Sequence, residues 1–397
     1  MPSRIFSKTP ESVIINYAYF VRNYCVYNYF RINLICTSLY EIVVMKNIYL
    51  KILDEIGSNP FLALATITET SGSTPGKPGS SALFSKSGLI AGTIGGGVVE
   101  GRVKVFAQEA IPLKQSGYPD FNIGYDIAKK DEAICGGEVS VLVDANLSNS
   151  IGEFESMRLS LEEHIPGVMV TMVTNHTGKS VLINRYWITG KTEQVLPVEF
   201  HSQIKPVVDS MIRKSDPYDY RAMELSLSGQ EPSSTFFLEP VFPSKKLIIA
   251  GAGHIGKALS HLGSMLGFEV TVVDDRPEYA NESNLPEADH VVVGNIGDVL
   301  SKMEMDNNTF VVIVTHGHKD DASALKPCVG ADLAYLGMIG SRGKVGKMRT
   351  DFLANGWATN EQWSKIYAPV GLEIKSQTVE EIAISIAAQL ILVRNNK

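Results

Sequence analysis

Gly251, Gly253 and Gly256 stand between an apolar run, Leu247–Ala250, and a helix-compatible stretch. Asp274 follows roughly 20 residues later, at the end of a second apolar run. Residues of these types at this spacing suit a dinucleotide. Gly251 permits a tight turn, Gly253 lets the backbone approach a pyrophosphate, and Gly256 lets the following helix pack close to the strand. The helix start, with His254 in the turn, offers unpaired N–H groups and a positive dipole end to an anion. Asp274 is placed to accept from a ribose hydroxyl and to repel a 2′-phosphate. The same glycines also fit a scaffold that keeps them for turn geometry alone.

Other polar residues follow apolar runs in the same half. Thr315-His316-Gly317-His318 leads into Asp320 and Asp321, and Gly340-Ser341-Arg342 ends another run. His316-Gly317-His318 resembles the start of an HxHxDH dinuclear zinc site. Asp321 stands where its last histidine would be, however, and no histidine follows His318. The reading preferred is a polar loop whose imidazoles bond backbone groups or a ligand. Ser341 and Arg342 fit either an anion grip or a capping serine beside a surface arginine. In the first half, Gly95-Gly96-Gly97 precede a helical stretch, so their N–H groups can form an anion nest or serve close packing. Glu100, one turn in, balances the helix dipole. Cys135 precedes two glycines; its thiol could bind a metal centre or carry sulfur, or be a buried small side chain.

The elements that position these residues are legible in outline. A helix is expected over Ile48–Ile56, strands over Leu62–Thr68, Ala82–Phe84, Leu89–Ala91 and Glu138–Val143, and a helix over Val98–Glu109. The region from 151 to 240 reads as a helix over Gly152–His164, a hairpin of Val168–Thr174 with Lys179–Ile183, and a helix over Pro206–Lys214, with no chemistry in it. From Leu247 strands alternate with helices: strands at Val291–Gly294, Phe310–Thr315 and Tyr335–Ile339, then a long helix over Val379–Arg394. The fold class expected is α/β: a mixed α/β N-terminal domain plus a C-terminal Rossmann-like, doubly wound parallel sheet. The divisions are 1–44, 45–145, 146–240 and 241–397. Ligands of open parallel sheets sit beyond the carboxyl ends of the strands. Gly251–Gly256, Asp274, His316, His318, Ser341 and Arg342 are therefore expected to line one pocket facing the first domain.

Composition bounds the function. The 397 residues carry a net charge of −7, which argues against nucleic-acid binding. Four cysteines at irregular spacing fit neither a zinc ribbon nor a disulfide framework, which points to a reducing, cytoplasmic compartment. Residues 1–44 crowd Ile, Asn and Tyr together and are interrupted by Arg22 and Arg31. They make neither a clean membrane span nor a signal peptide. They read as translated upstream sequence or a poorly ordered arm, with a membrane-associated anchor as the alternative, and Met45 opens the folded protein.

Several motifs in order resemble the XdhC/CoxI family of molybdenum hydroxylase accessory factors: GSTPGKPG at Gly72–Gly79, GTIGGGVVEGRV at Gly92–Val103, CGGEVSVLVD at Cys135–Asp144, IIAGAGHIGKAL at Ile248–Leu259, VVDDRPEYAN at Val272–Asn281, VTHGHKDDASAL at Val314–Leu325, YLGMIGSRGK at Tyr335–Lys344 and the C-terminal stretch Ile366–Ile391. The resemblance implies a protein that binds the molybdenum cofactor (molybdopterin), supports its sulfuration and delivers it to a hydroxylase of the xanthine dehydrogenase or CO dehydrogenase type, as a maturation factor rather than a turnover enzyme. It implies Cys135 at the molybdenum–sulfur end, a client hydroxylase and a cysteine desulfurase as partners, and a homodimer. Many members carry Cys directly after the triple glycine. Here that residue is Val98, so a mechanism needing both thiols is in doubt. Two alternatives come from other classes. One is an NAD(P)-dependent oxidoreductase, although no hydride-transfer set is visible. The other is a non-catalytic scaffold with a vestigial nucleotide site.

Overall fold

The computed structural model describes residues 47–122, 137–174, 180–192, 195–226 and 234–396. Residues 1–44 and Cys135 lie outside them. The described chain begins with α1 (Ile48–Ile56), β1 (Leu62–Gly72), β2 (Ser81–Ser85), β3 (Gly88–Gly92), α2 (Gly97–Leu113), β4 (Asp120–Asn122) and β5 (Gly137–Asp144). The strands form one antiparallel sheet in the order β3-β2-β1-β5-β4. Both faces of the first part of β1 are covered, which is why Leu62–Ala65 are all apolar. Side chains alternate across a strand. Ala63, Ala65 and Ile67 pack under α2, and Leu62 and Leu64 pack toward α1. Val99, Val103, Ala107, Ala110 and Ile111 make the buried stripe of α2. The last two carry the helix past Glu109, where the sequence reading ended it.

The next elements are α3 (Ile151–Glu162), β6 (Gly167–Thr174), β7 (Leu182–Thr189), α4 (Val198–Lys214), β8 (Arg221–Leu225) and β9 (Ser234–Val241). Their antiparallel sheet has the order β7-β6-β9-β8. α4 starts at Val198, not at Pro206. Phe200, Ile204, Val208 and Met211 continue one buried stripe against Val168, Val170, Phe236 and Leu238. That burial outweighs the single helix hydrogen bond that Pro206 removes. The other face of this sheet joins the first: Met169, Trp187 and Val241 share a core with Tyr49, Ile52, Leu62 and Phe154.

The third part contains β10 (Lys246–Ala250), α5 (His254–Met265), β11 (Glu269–Asp274), β12 (His290–Val293), α6 (Ile296–Leu300), β13 (Thr309–Ile313), α7 (His318–Leu325), β14 (Tyr335–Met338), α8 (Arg342–Ala354), α9 (Asn360–Ser364) and α10 (Val379–Asn395). All five strands are parallel, in the order β12-β11-β10-β13-β14. β10 is the central strand. Its Leu247 and Ile249 face Leu259 of α5 and Ile386 and Leu390 of α10. Ile248 and Ala250 face Leu325, Met348, Phe352 and Trp363 on the other side. This is the doubly wound Rossmann sheet expected, beside a mixed α/β first domain. Each buried apolar cluster among the described residues lies wholly before residue 242 or wholly after residue 246. Among the described residues no helix is long and apolar enough to cross a membrane.

Candidate functional site

The turn after β10 separates glycines that packing demands from one that it does not. Gly251 has φ 117°, and a Cβ on it would lie 2.5 Å from the Val314 carbonyl oxygen. A Cβ on Gly256 would lie 2.9 Å from the Gly251 carbonyl carbon and closer still to its oxygen. Gly253 differs: its φ is −67° and a Cβ there would meet nothing within 4 Å. It is the N-cap of α5, which has no side-chain cap and no acid in its first turn. Backbone N–H groups there are open to an anion. His254 is exposed.

Asp274 ends β11 and is buried. Its Oδ2 accepts from the Ala252 N–H at 2.7 Å and from an Arg276 terminal nitrogen at 2.8 Å. Its Oδ1 accepts from the Arg276 N–H at 3.0 Å and from Arg276 Nε at 2.9 Å. A carboxylate has about four acceptor positions, and all are filled. Burial alone would raise this carboxyl, but the Arg276 guanidinium and the two backbone N–H groups hold it down to about 2. Asp274 thus clamps the glycine turn to the end of β11. The Arg276 guanidinium also lies 4.2 Å from the centroid of the Tyr279 ring.

The loop after β13 is anchored from below. The Val314 N–H donates to the Ala250 carbonyl at 2.8 Å, beside the glycine turn. The Thr315 hydroxyl donates to Asp321 Oδ1 at 2.5 Å, and Lys344 of α8 forms an ion pair with the other oxygen of the same buried carboxylate. Asp321, the position that spoils the zinc pattern, instead ties this loop to α8. His316 is exposed and His318 opens α7. Among the described residues no group of three His, Cys, Asp or Glu side chains is placed to hold a metal ion.

A cleft of about 140 Å³ opens at these strand ends, lined by Asp274, Asp275, Arg276, Asn295, Ile296, Thr315, His316, Asp320 and Ser323. Of the residues expected to share one pocket, only Asp274 and His316 line it. Ser341 is spent as the N-cap of α8, its hydroxyl accepting from the Lys344 N–H, and neither it nor Arg342 borders the cleft. Asn295 and Ser323 escaped the sequence reading because each stands alone. The run Gly294-Asn295-Ile296 before a short helix was the available signal for Asn295.

A second site is built in the first domain from three glycine motifs packed on one another. Gly95, Gly96 and Gly97 all have positive φ, at 105°, 72° and 64°, a run that only glycine adopts without strain. A Cβ on Gly95 would lie 2.6 Å from Gly76 N, and one on Gly137 would lie 2.5 Å from the Ser71 carbonyl oxygen. Gly96 and Gly97 face open space instead. Glu100 does more than balance a dipole. Its Oε2 accepts from the Thr93 hydroxyl at 2.7 Å and the Ile94 N–H at 3.2 Å, which fixes the loop ahead of its own helix.

The middle region holds a buried polar network that the sequence reading missed. Arg185 of β7 pairs with Asp144 of β5, both buried, and also donates to the Ser150 hydroxyl at 3.2 Å. Ser116 donates to the same Asp144 at 2.9 Å. Nearby the Tyr49 hydroxyl donates to Glu239 at 2.6 Å. Burial pushes the Glu239 carboxyl up to about 7, against the opposing pull of Tyr49 and Arg185. These contacts tie the first two sheets together.

Comparison with known proteins covers both halves. A model described as the XdhC Rossmann domain matches residues 247–390, and one for the XdhC and CoxI family matches residues 59–119. The chain is 27 % identical over 337 residues to a probable xanthine dehydrogenase subunit of Bacillus subtilis (strain 168), covering 83 % of this chain and 92 % of that protein. It is 31 % identical over 152 residues to the uncharacterized protein YqeB of Escherichia coli (strain K12), covering 38 % of this chain and 28 % of that one. A crystal structure of a xanthine dehydrogenase from Bacillus halodurans is similar at 26 % identity with a TM-score of 0.68, covering 88 % of this chain and 96 % of that one. With residues 59–119, which carry the first glycine loops, and residues 247–390, which carry the Rossmann sheet, each matched by a model of this family, the chain belongs to the XdhC and CoxI family.

Proposed function

We propose that this chain is an accessory factor that binds the molybdenum cofactor, supports its sulfuration and aids its insertion into a xanthine dehydrogenase or CO dehydrogenase-type hydroxylase. The observation that carries the reading is the junction of the three glycine motifs in the first domain. The open Gly96-Gly97 backbone at the start of α2 suits an anionic tail. The chain enters the same junction at Gly137, two residues after Cys135. A thiolate is a ligand and a sulfur carrier, and the bound cofactor supplies the molybdenum–sulfur chemistry. Glu100 holds the loop in shape. The fitting partners are the client hydroxylase and a cysteine desulfurase, with a cytoplasmic homodimer as the working form.

The test is the pterin content of the full-length protein purified from cells that make the cofactor, read by fluorescence after oxidation. The parent should carry pterin. Cys135→Ala should keep its far-UV circular dichroism and melting temperature but lose most of the pterin or its sulfur. Equal pterin and sulfur in both proteins would overturn the reading.

A further inference from the structure

The C-terminal helix α10 buries one face and carries a second apolar face outward. Ile386, Ala387 and Leu390 pack into the core of the parallel sheet. A surface helix normally turns polar residues to the opposite side. On α10, Ile384 is 51 % exposed and Leu392 48 % exposed, with the half-buried Ala388 between them. Exposed Glu381 and Asn395 close the row at its two ends. Steps of three or four residues keep all five on one stripe. Met265 of α5, also exposed, widens the patch near the last turn: the carbonyl of the adjoining Leu266 accepts from Arg394 Nη1 at 2.8 Å. An apolar patch with a charged rim marks a contact surface.

The order of residues along the stripe selects its occupant. Ile384 and Leu392 each stand four residues from Ala388, and Glu381 and Asn395 each stand seven from it. The stripe therefore matches itself when one copy is turned end to end. A two-fold axis beside Ala388 lays Ile384 of each copy against Leu392 of the other, and Ala388 against its own copy. The small side chain at the centre lets the two helices approach closely. Charge fixes the direction. Glu380 and Glu381 occupy the first turn of α10 and Arg394 the last. A parallel pair would bring acids against acids. An antiparallel pair brings Glu380 of one copy to the same flank as Arg394 of the other, within about 3 Å of the same level along the axis, and it opposes the two helix dipoles. Such a contact is isologous and closed, so it leaves no unmatched stripe behind.

We infer that the outer face of α10 is the interface of an antiparallel homodimer of this chain, with the two-fold axis at Ala388. A 17-residue helix is about 25 Å long and about 10 Å across, and covers well under the roughly 800 Å² per partner of a standard interface. Even with Met265 added, the dimer should dissociate in the micromolar range. The inference deepens the homodimer proposed above by naming its surface. It rests on that part of the proposal alone and needs neither pterin nor Cys135.

Sedimentation velocity of the full-length protein across the micromolar range tests it. The parent should shift from monomer to dimer with concentration. Ile384→Glu should weaken the dimer by about a hundredfold, because the two-fold axis counts each substitution twice. The position is exposed, so the far-UV circular dichroism and melting temperature of the variant should match the parent's. A second variant needs no loss of function: Ala388→Cys should give a covalent dimer with diamide, above the background of the parent, whereas Val293→Cys, 50 % exposed on β12, should not. A parent that stays monomeric overturns the inference, as does a dimer that Ile384→Glu leaves intact, or an Ala388→Cys that cross-links no better than Val293→Cys. A monomeric parent whose activation of a client hydroxylase is lost in Ile384→Glu would give the face to the client and overturn the inference equally. Pterin content is read separately, so cofactor binding can stand where the dimer fails, and the reverse.

Discussion

Two single-methyl substitutions in one turn should have opposite consequences. Gly256→Ala places a Cβ against the Gly251 carbonyl, 2.9 Å from its carbon and closer to its oxygen. Both atoms are backbone, so no rotamer change relieves the overlap, and the cost falls near the top of the roughly 1–3 kcal/mol range for overpacking. Alanine recovers about 1 kcal/mol of helix propensity over glycine. The net loss is about 2 kcal/mol, which lowers the melting temperature of a unit of this size by about 4–8 °C. Gly253→Ala adds its methyl to open space at a φ of −67° that alanine adopts. A weaker N-cap and a less flexible unfolded chain roughly offset each other there, each at about 0.5–1 kcal/mol. Its melting should stay near the parent's, while any affinity of this uncapped helix start for a phosphate, probed with 5′-AMP, should fall. Differential scanning calorimetry with a matched titration reads both quantities. An unchanged transition in Gly256→Ala, or an equal drop in Gly253→Ala, would refute the division of labour among the three glycines.

Other outcomes follow from the buried network and the first-domain loop. Arg185→Met leaves the Asp144 carboxylate buried without its cation and should cost about 3–5 kcal/mol in urea unfolding; Arg185→Met with Asp144→Leu should recover much of that. Glu239, raised from 4.5 to about 7 by burial, keeps its proton longer in the folded state. Its contribution is full below pH 4.5 and is lost as the pH rises to about 7, at up to about 1.4 kcal/mol per pH unit. Glu239→Gln should remove that slope from a plot of stability against pH, and an identical slope in the variant would show that another group sets it. Glu100→Ala frees the Thr93 hydroxyl and the Ile94 N–H, and should cost about 1 kcal/mol of stability together with part of the bound pterin. No change in either would return Glu100 to a surface role.

The parallel sheet was legible because its signals are local. Leu247–Ala250, the glycine turn and the second apolar run each declare themselves within a few residues, and strands alternating with helices point to a parallel sheet. Asp274 shows where such reading stops. Its type and spacing suit a ribose, but only three dimensions reveal that Ala252 and Arg276 use up its oxygens while Asp275 stays exposed. Asp321 carries the same lesson, since its partner Lys344 is 23 positions away and on another helix. The middle sheet was hardest. Arg185 and Asp144 belong to strands of different sheets, and no spacing in the sequence signals their pairing. Pro206 likewise looked like a helix start, because the burial of Phe200 and Ile204 depends on a sheet that pairs β6 with the distant β9.

The most direct test of cofactor maturation is the specific activity, per molybdenum bound, of a xanthine dehydrogenase-type hydroxylase produced in cells with and without this chain. Without it, the hydroxylase should accumulate with low activity per molybdenum. The parent chain should restore that activity, and Cys135→Ala should restore little of it. Equal activity per molybdenum in the presence and absence of the chain would contradict a role in cofactor maturation.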